Sequence, residues 1–324
     1  MRFALTYFFV FFVFFAFPQN NIFDFANLSF SSRSSSMGGD LINIYDDDVN
    51  IAVVNPSCLN SNMNNKLSFS FIDYYTDINY FSSVFVTDIN DFGSFCFGFF
   101  GVNYGDFIES DETGNVIGSF KAGEYMFTIG SSKKILKKLY LGSNFKFLYS
   151  NLYNISSTAV SSDLSFFYKS DLSNFTLLFR NMGTTIESYN NNNNNNMPFK
   201  IQLGVSNKLK YLPLRFSFIY DNIQDFNHLN SELNSELNFL NKLFSHFIIG
   251  AEFGKDKFKI RGGYNVKRRY ELSYIYPGFS GFSWGLGLRI KDFELDYSRS
   301  TYHVYGSPNY FTISTNLSKI LKFK

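Results

Sequence analysis

The chain has little of what staples, breaks or catalyses. Among 324 residues there are two cysteines, three histidines, six prolines and one tryptophan, and the formal net charge is +2. Two cysteines, Cys58 and Cys96, form at most one disulfide, so no disulfide framework holds the fold. Cys96 lies in the run Phe95-Cys96-Phe97-Gly98-Phe99, where a reduced, packed thiol is expected. So mild a charge, without a Lys/Arg stripe interleaved with aromatics, argues against a nucleic-acid partner. His228, His246 and His303 fall in different connections or strand ends and lack metal-ligand spacing. No Gly-x-Ser-x-Gly elbow occurs, and Asp46-Asp47-Asp48 lacks the glycine and terminal glutamate of an EF-hand loop. The expectation is a non-enzymatic protein with no cofactor and no metal.

Long apolar runs are scarce as well. One spans Phe3 to Phe17, behind Arg2 and ahead of Pro18-Gln19. These are the n-region and h-region of a secretory signal peptide, assigned to 1–19. The run is shorter than the roughly 20 residues that cross a bilayer, which sets this reading above an uncleaved anchor helix. If the chain sits in a membrane, strands must put it there.

What is abundant is aromatic: 43 Phe and 22 Tyr. Their positions carry the information. Phe175/Leu177/Phe179, Ile201/Leu203/Val205, Phe216/Phe218/Tyr220, Phe258/Ile260/Tyr264, Phe282/Trp284/Leu286/Leu288 and Phe311/Ile313/Leu317 alternate with Arg180, Gln202, Ser217, Lys259, Ser283, Thr312 and Ser314. Period two means strands. An apolar face opposite a charged one is how a membrane barrel reads, with lipid outside and a wet interior; a soluble β-sandwich also alternates, but turns its polar face to water. The expected fold is all-β: a transmembrane up-and-down antiparallel β-barrel of about 14 strands over 66–324, with an N-terminal plug-like segment over 20–65.

The strands are placed at 66–75, 77–87, 93–104, 123–134, 139–150, 157–168, 174–180, 199–206, 214–222, 246–254, 257–266, 281–290, 293–302 and 309–317. Links after the even strands, two through twelve, are short. Those after strands three, seven, nine and eleven are long: 105–122, 181–198, 223–245 and 267–280. Short turns on one rim and long loops on the other are the outer-membrane arrangement, with short turns periplasmic and long loops outward. No proline interrupts a strand. Gly98, Gly204, Gly250, Gly262, Gly285 and Gly287 fall inside strands, where they ease curvature or make room for neighbouring backbone. Asn190 to Asn196 reads as a solvated insertion. Leu229, Leu233, Leu237, Leu240 and Phe244 have helical spacing, for a short amphipathic helix on the rim or against a partner.

Arg215, Glu252, Arg261, Arg289, Glu294 and Asp296 share the polar face of neighbouring strands and form a lumen charge layer. Such ions must be paired or wet. They are either a salt-bridged layer that rigidifies the barrel or holds the plug, or a conduction path.

Several stretches in order resemble the PorV/PorQ branch of FadL-like outer-membrane barrels, on the PorQ side, from the type IX secretion system of Bacteroidetes. They are Arg33 with Met37-Gly38-Gly39-Asp40, then Asp46-Asp47-Asp48 and Asn55-Pro56, all in the plug-like segment. Further on come Asn103-Tyr104-Gly105 with Asp111 to Asn115, Pro198 to Gly204, the block Gly281 to Ile290, Tyr302-His303, and Phe311 to Leu317. The resemblance implies a fourteen-stranded accessory barrel that anchors the surface machinery attaching secreted cargo to lipopolysaccharide, with PorZ-like, PorU-like and PorV-like partners. It transfers no catalytic residue. The alternative function is a FadL-like channel for hydrophobic small molecules.

Overall fold

A computed structural model describes residues 23–89, 93–189, 197–229, 233, 235, 237–273, 278–301 and 306–321. The expected signal segment 1–19, the Asn190 to Asn196 tract and Tyr302-His303 lie outside the described residues.

Fourteen strands form one closed barrel, each antiparallel to both neighbours. They are β1 Lys66–Tyr75, β2 Ile78–Ile89, β3 Gly93–Ser110, β4 Val116–Leu136, β5 Leu139–Leu152, β6 Ile155–Lys169, β7 Ser173–Glu187, β8 Lys200–Lys208, β9 Leu214–Tyr220, β10 Phe247–Gly254, β11 Phe258–Asn265, β12 Phe282–Ile290, β13 Phe293–Ser300 and β14 Asn309–Asn316. Closure is made by β14 on β1, in register from Lys66 opposite Asn316 to Asp73 opposite Asn309. The side-chain alternation explains the closure, because a barrel leaves no unpaired edge in lipid. In β1, Phe69 and Phe71 are about half exposed on the outer face while Ser68 and Ser70 are buried inward. Phe311 and Ile313 in β14 continue the outer apolar surface, and Thr312 and Ser314 continue the inner one. Among the described residues no helix is long and apolar enough to cross a membrane.

Two expectations are corrected. The stretch 105–122 is not a loop: β3 and β4 run on through it and pair from Asp106 opposite Lys121 to Ser110 opposite Val116, after a bulge at Gly105. The extension adds about 20 Å of strand length, given a rise of roughly 3.3 Å per residue. Similarly, β7 reaches Glu187. Both faces of these extensions meet solvent, so the period-two signal fades where the strands leave the lipid. Within the stretch expected to form a short rim helix, the described residues show α3 Phe239–Ser245, capped by Asn238 and exposing Phe239, Leu240 and Phe244, while 230–232, 234 and 236 lie outside the described residues. A further helix, Val266–Ser273, fills part of the link after β11.

Residues 23–65 sit inside the barrel and touch strands all round it. They form two short helices, α1 Ser32–Ser36 and α2 Val49–Val54, with three 3₁₀ turns. Four of the five starts carry a side-chain cap: the Ser31 hydroxyl accepts from Ser34 N at 3.3 Å, Asp48 from Asn50 N at 3.0 Å, Asn55 from Ser57 N at 3.1 Å, with Pro56 next in line, and Asn60 from Asn62 N at 3.0 Å. Such caps let segments this short hold their shape against the wall.

Strand glycines make the seat. A Cβ on Gly263 would lie 2.2 Å from Gly38 N and 2.4 Å from the Met37 carbonyl carbon, and one on Gly142 would lie 2.1 Å from Ser57 N. Gly204, Gly250 and Gly285 likewise face Asn43, Met37 and Ser36. Gly38, at φ +105°, adopts a backbone that side chains resist. We expect Gly263→Val to leave the barrel closed but displace the plug, at a cost of about 1–3 kcal/mol or more. Trypsin should then cleave after Arg33, which is protected in the parent; retained protection would contradict this seating.

Candidate functional site: the interface between plug and lumen

The plug motif and the lumen charge layer meet in one network centred on Arg33. Its guanidinium is nearly fully buried and donates from Nε to Glu252 Oε2 at 2.9 Å and from Nη2 to Glu252 Oε1 at 2.9 Å. The same group donates to Asp46 Oδ2 at 2.8 Å, Asp46 Oδ1 at 3.1 Å and Asp48 Oδ2 at 3.3 Å. Paired forks of this kind are the strong form of charge-assisted bonding. From the wall, Arg261 donates to Glu252 at 2.8 Å and also bonds Asp296, and Arg215 reaches Asp46 at 3.0 Å. Beside this, Asp47 accepts from Lys66 at 2.8 Å and lies 3.4 Å from Arg289; Lys66 and Arg289 both bond Glu294.

Met37, Gly38 and Gly39 carry no charge into the network. Met37 and Gly38 pack on β10 and β11, where Asn265 donates to the Gly38 carbonyl at 3.1 Å, and Gly39 lies against Arg268 of the helix Val266–Ser273. Asn55 ties the plug to itself through the Ile42 carbonyl at 2.5 Å, while Ser57, after Pro56, donates its amide to Ser165 of the wall at 2.9 Å.

A second network was not singled out from the sequence. Asp40 accepts from Arg180 at 3.3 Å, Lys200 at 3.0 Å and Gln202 at 3.0 Å, and Arg180 also donates to the Ala26 carbonyl at 2.8 Å. Beside it, Lys146 pairs with the fully buried Asp163 at 2.7 Å. The available signal was position: Lys146, Asp163 and Lys200 all fall on the inward register, as Arg180 does.

Burial, the largest influence on the Asp46 carboxyl, raises its pKa, yet Arg33, Arg215 and Lys259 outweigh it and hold the group below the ordinary carboxylate range. Asp40 behaves the same way: burial raises it, and Lys200 and Arg180 bring it lower still. Groups with depressed folded pKa values contribute stability above their unfolded value, near pH 4, and lose it as pH falls through the folded value. The plug should therefore stay seated from neutral pH down to about pH 5 and loosen below about pH 3. Hydrogen exchange of 23–65 measures this; protection that rises on acidification would reverse the sign.

The cysteines are free and buried. Two histidines that the sequence places apart come together on the outer rim, His228 and His246, with ring centroids 4.0 Å apart. Burial, then the neighbouring His246 and Lys267, push His228 down to about 3, so it is neutral at physiological pH. His303 lies outside the described residues. Among the described residues no cluster of three or more His, Cys, Asp or Glu could hold a metal.

Between plug and wall a cavity of about 20 Å³ remains, lined by Leu28, Phe30, Val53, Phe100 and Met126 among others. That is room for about one water molecule. The arrangement clamps a segment inside a barrel and brings no nucleophile, base and oxyanion donor together.

No family model and no curated protein matches the chain. Solved structures do. The toluene transporter TbuX of Ralstonia pickettii superposes with a TM-score of 0.53 at 13% identity, over 90% of this chain and 99% of that one. The toluene transporter TodX of Pseudomonas putida gives 0.50 at 11%, over 91% and 98%. Likeness at such identity is a likeness of fold: the chain shares the barrel architecture of these two proteins, here fourteen antiparallel strands with an N-terminal extension.

Proposed function

We propose that this protein is a non-enzymatic outer-membrane component of the type IX secretion system, anchoring the surface complex that attaches sorted cargo to lipopolysaccharide, with PorZ-like, PorU-like and PorV-like partners. The observation that carries the reading is the clamped lumen: Arg33 joins Asp46 and Asp48 of the plug to Glu252 of the wall. A barrel locked in this way works through its outer surface, where the β3–β4 hairpin extends past the β5–β6 turn, whose Tyr153 bonds Glu109, and exposes Phe107, Ile108, Val116 and Ile117. Of the stretches that resemble PorQ, Arg33, Asp46 to Asp48 and Arg289 take part in the clamp. Deleting the gene should leave sorting-domain cargo unattached or released, and normal attachment in the deletion strain would sink the proposal.

A second reading has its own support, and the comparisons favour it over the first: two barrels that share this fold over nearly their full length are toluene transporters. On this reading the protein is a channel for hydrophobic small molecules, and the plug moves to admit them. Saturable binding of toluene or a fatty acid by the purified barrel, with uptake lost on deletion while cargo attachment stays normal, would select it.

A further inference from the structure

The plug does not fill the lumen to the short-turn rim. Below it lies an open vestibule of about 850 Å³, within the roughly 300–1,000 Å³ range of ligand clefts. Its floor is the clamp itself, Asp46, Asp47 and Glu252 with Arg215 and Arg289, charges already matched to one another. Its walls are not matched. Lys208, Lys210 and Lys255 line the space, and among the described residues none of them has a carboxylate within 4.0 Å; Lys259, deeper in, acts on Asp46 and Glu252 of the floor from beyond that distance. The only further acid in the lining is Asp256. On the same rim, beyond the β6–β7 hairpin, the β4–β5 hairpin adds Lys133, Lys134, Lys137 and Lys138. A cleft lined with one sign of charge focuses its field and draws the opposite sign.

The lip has a second character. Tyr211 is 88% exposed and Leu212 56%, side by side in the β8–β9 turn, with the Lys210 ammonium 5.3 Å from the Tyr211 ring centre. A free phosphate compound has no use for an apolar lip. An acidic polypeptide does, because its carboxylates reach the lysines while a neighbouring apolar side chain covers Tyr211 and Leu212. Lysines, as flexible point charges, also suit carboxylates presented along an extended chain more than one rigid anion.

We propose that this vestibule is a docking site for an acidic polypeptide segment on the short-turn side of the membrane, separate from the outward surface invoked above. The test uses the full-length barrel in detergent micelles and a fluorescein-labelled hexapeptide of four glutamates, one tyrosine and one leucine. Saturable binding that weakens with salt is expected. Lys208→Glu with Lys255→Glu, both in or beside exposed turns, should weaken it about tenfold or more, while Lys121→Glu on the outward hairpin should leave it unchanged. Heat-modifiable gel migration confirms that each variant is folded. The proposal is overturned if the all-glutamine version of the peptide binds equally well, if Lys121→Glu weakens binding as much, or if tripolyphosphate competes as well as the peptide does, which would make the site one for small anions.

Discussion

Arg33→Ala should release the plug from the wall it is clamped to, at a cost of about 3–5 kcal/mol, the scale for removing one partner from a buried charge network. The side chain donates five hydrogen bonds to three carboxylates, Glu252, Asp46 and Asp48. Truncation leaves Glu252 with Arg261 and a distant Arg215, and leaves Asp48 with only the Asn50 contacts of its helix cap. The barrel ladder involves none of these groups, so the strands should stay paired. Faster amide exchange across 23–65, with the strand amides unchanged, is the expected signature. Ion conductance in planar bilayers should rise. Arg33→Lys keeps the charge but not the two forks and should fall between; a variant with the parent's exchange pattern would show that the seat, not the clamp, holds the plug.

Asp163→Leu should cost a similar amount, about 3–5 kcal/mol, through the wall instead of the plug. Asp163 takes the Lys146 ammonium at 2.7 Å and also accepts from the Asn181 amide at 2.8 Å and the Asn144 side chain at 3.2 Å. Its loss leaves Lys146 buried, with Asn181 Oδ1 at 2.8 Å as its remaining partner. Adding Lys146→Met removes the stranded charge and should restore much of the stability, although the Asn181 amide still lacks its acceptor, worth about 1–3 kcal/mol. The temperature at which gel migration shifts would rank parent, double and single variants in that order. A double variant no better than the single one would mean that the ion pair is not the source of the cost.

Strand limits were legible where lipid met one face and the lumen the other, as in Phe282 to Leu288, because burial then alternates with the backbone. The same logic failed from Gly105 to Lys121, where the hairpin leaves the membrane and both faces meet water. The members of the clamp were legible as charged types on an inward register and as a motif in the plug. Their partners were not, since Arg33 and Glu252 are 219 residues apart and nothing local specifies which carboxylate a buried guanidinium meets. The Asp40 and Lys146 networks show the same limit. His228 and His246 met because a long link folds back on itself, which spacing alone does not encode.

The plug's bonds to the closing strands also bear on the order of assembly. Ser32 N donates to Thr312 Oγ1 and Ser35 to Ser300, across 280 and 265 residues. The segment translated ahead of the strands therefore finds some of its partners only after the last strands are in place. Contacts this distant form late and slowly, and until the plug meets the wall Asp40, whose partners Arg180, Lys200 and Gln202 all lie on strands, carries unmatched charge. Protection of the plug thus serves as a clock for barrel closure: it should appear last in a refolding time course, after β14 has met β1.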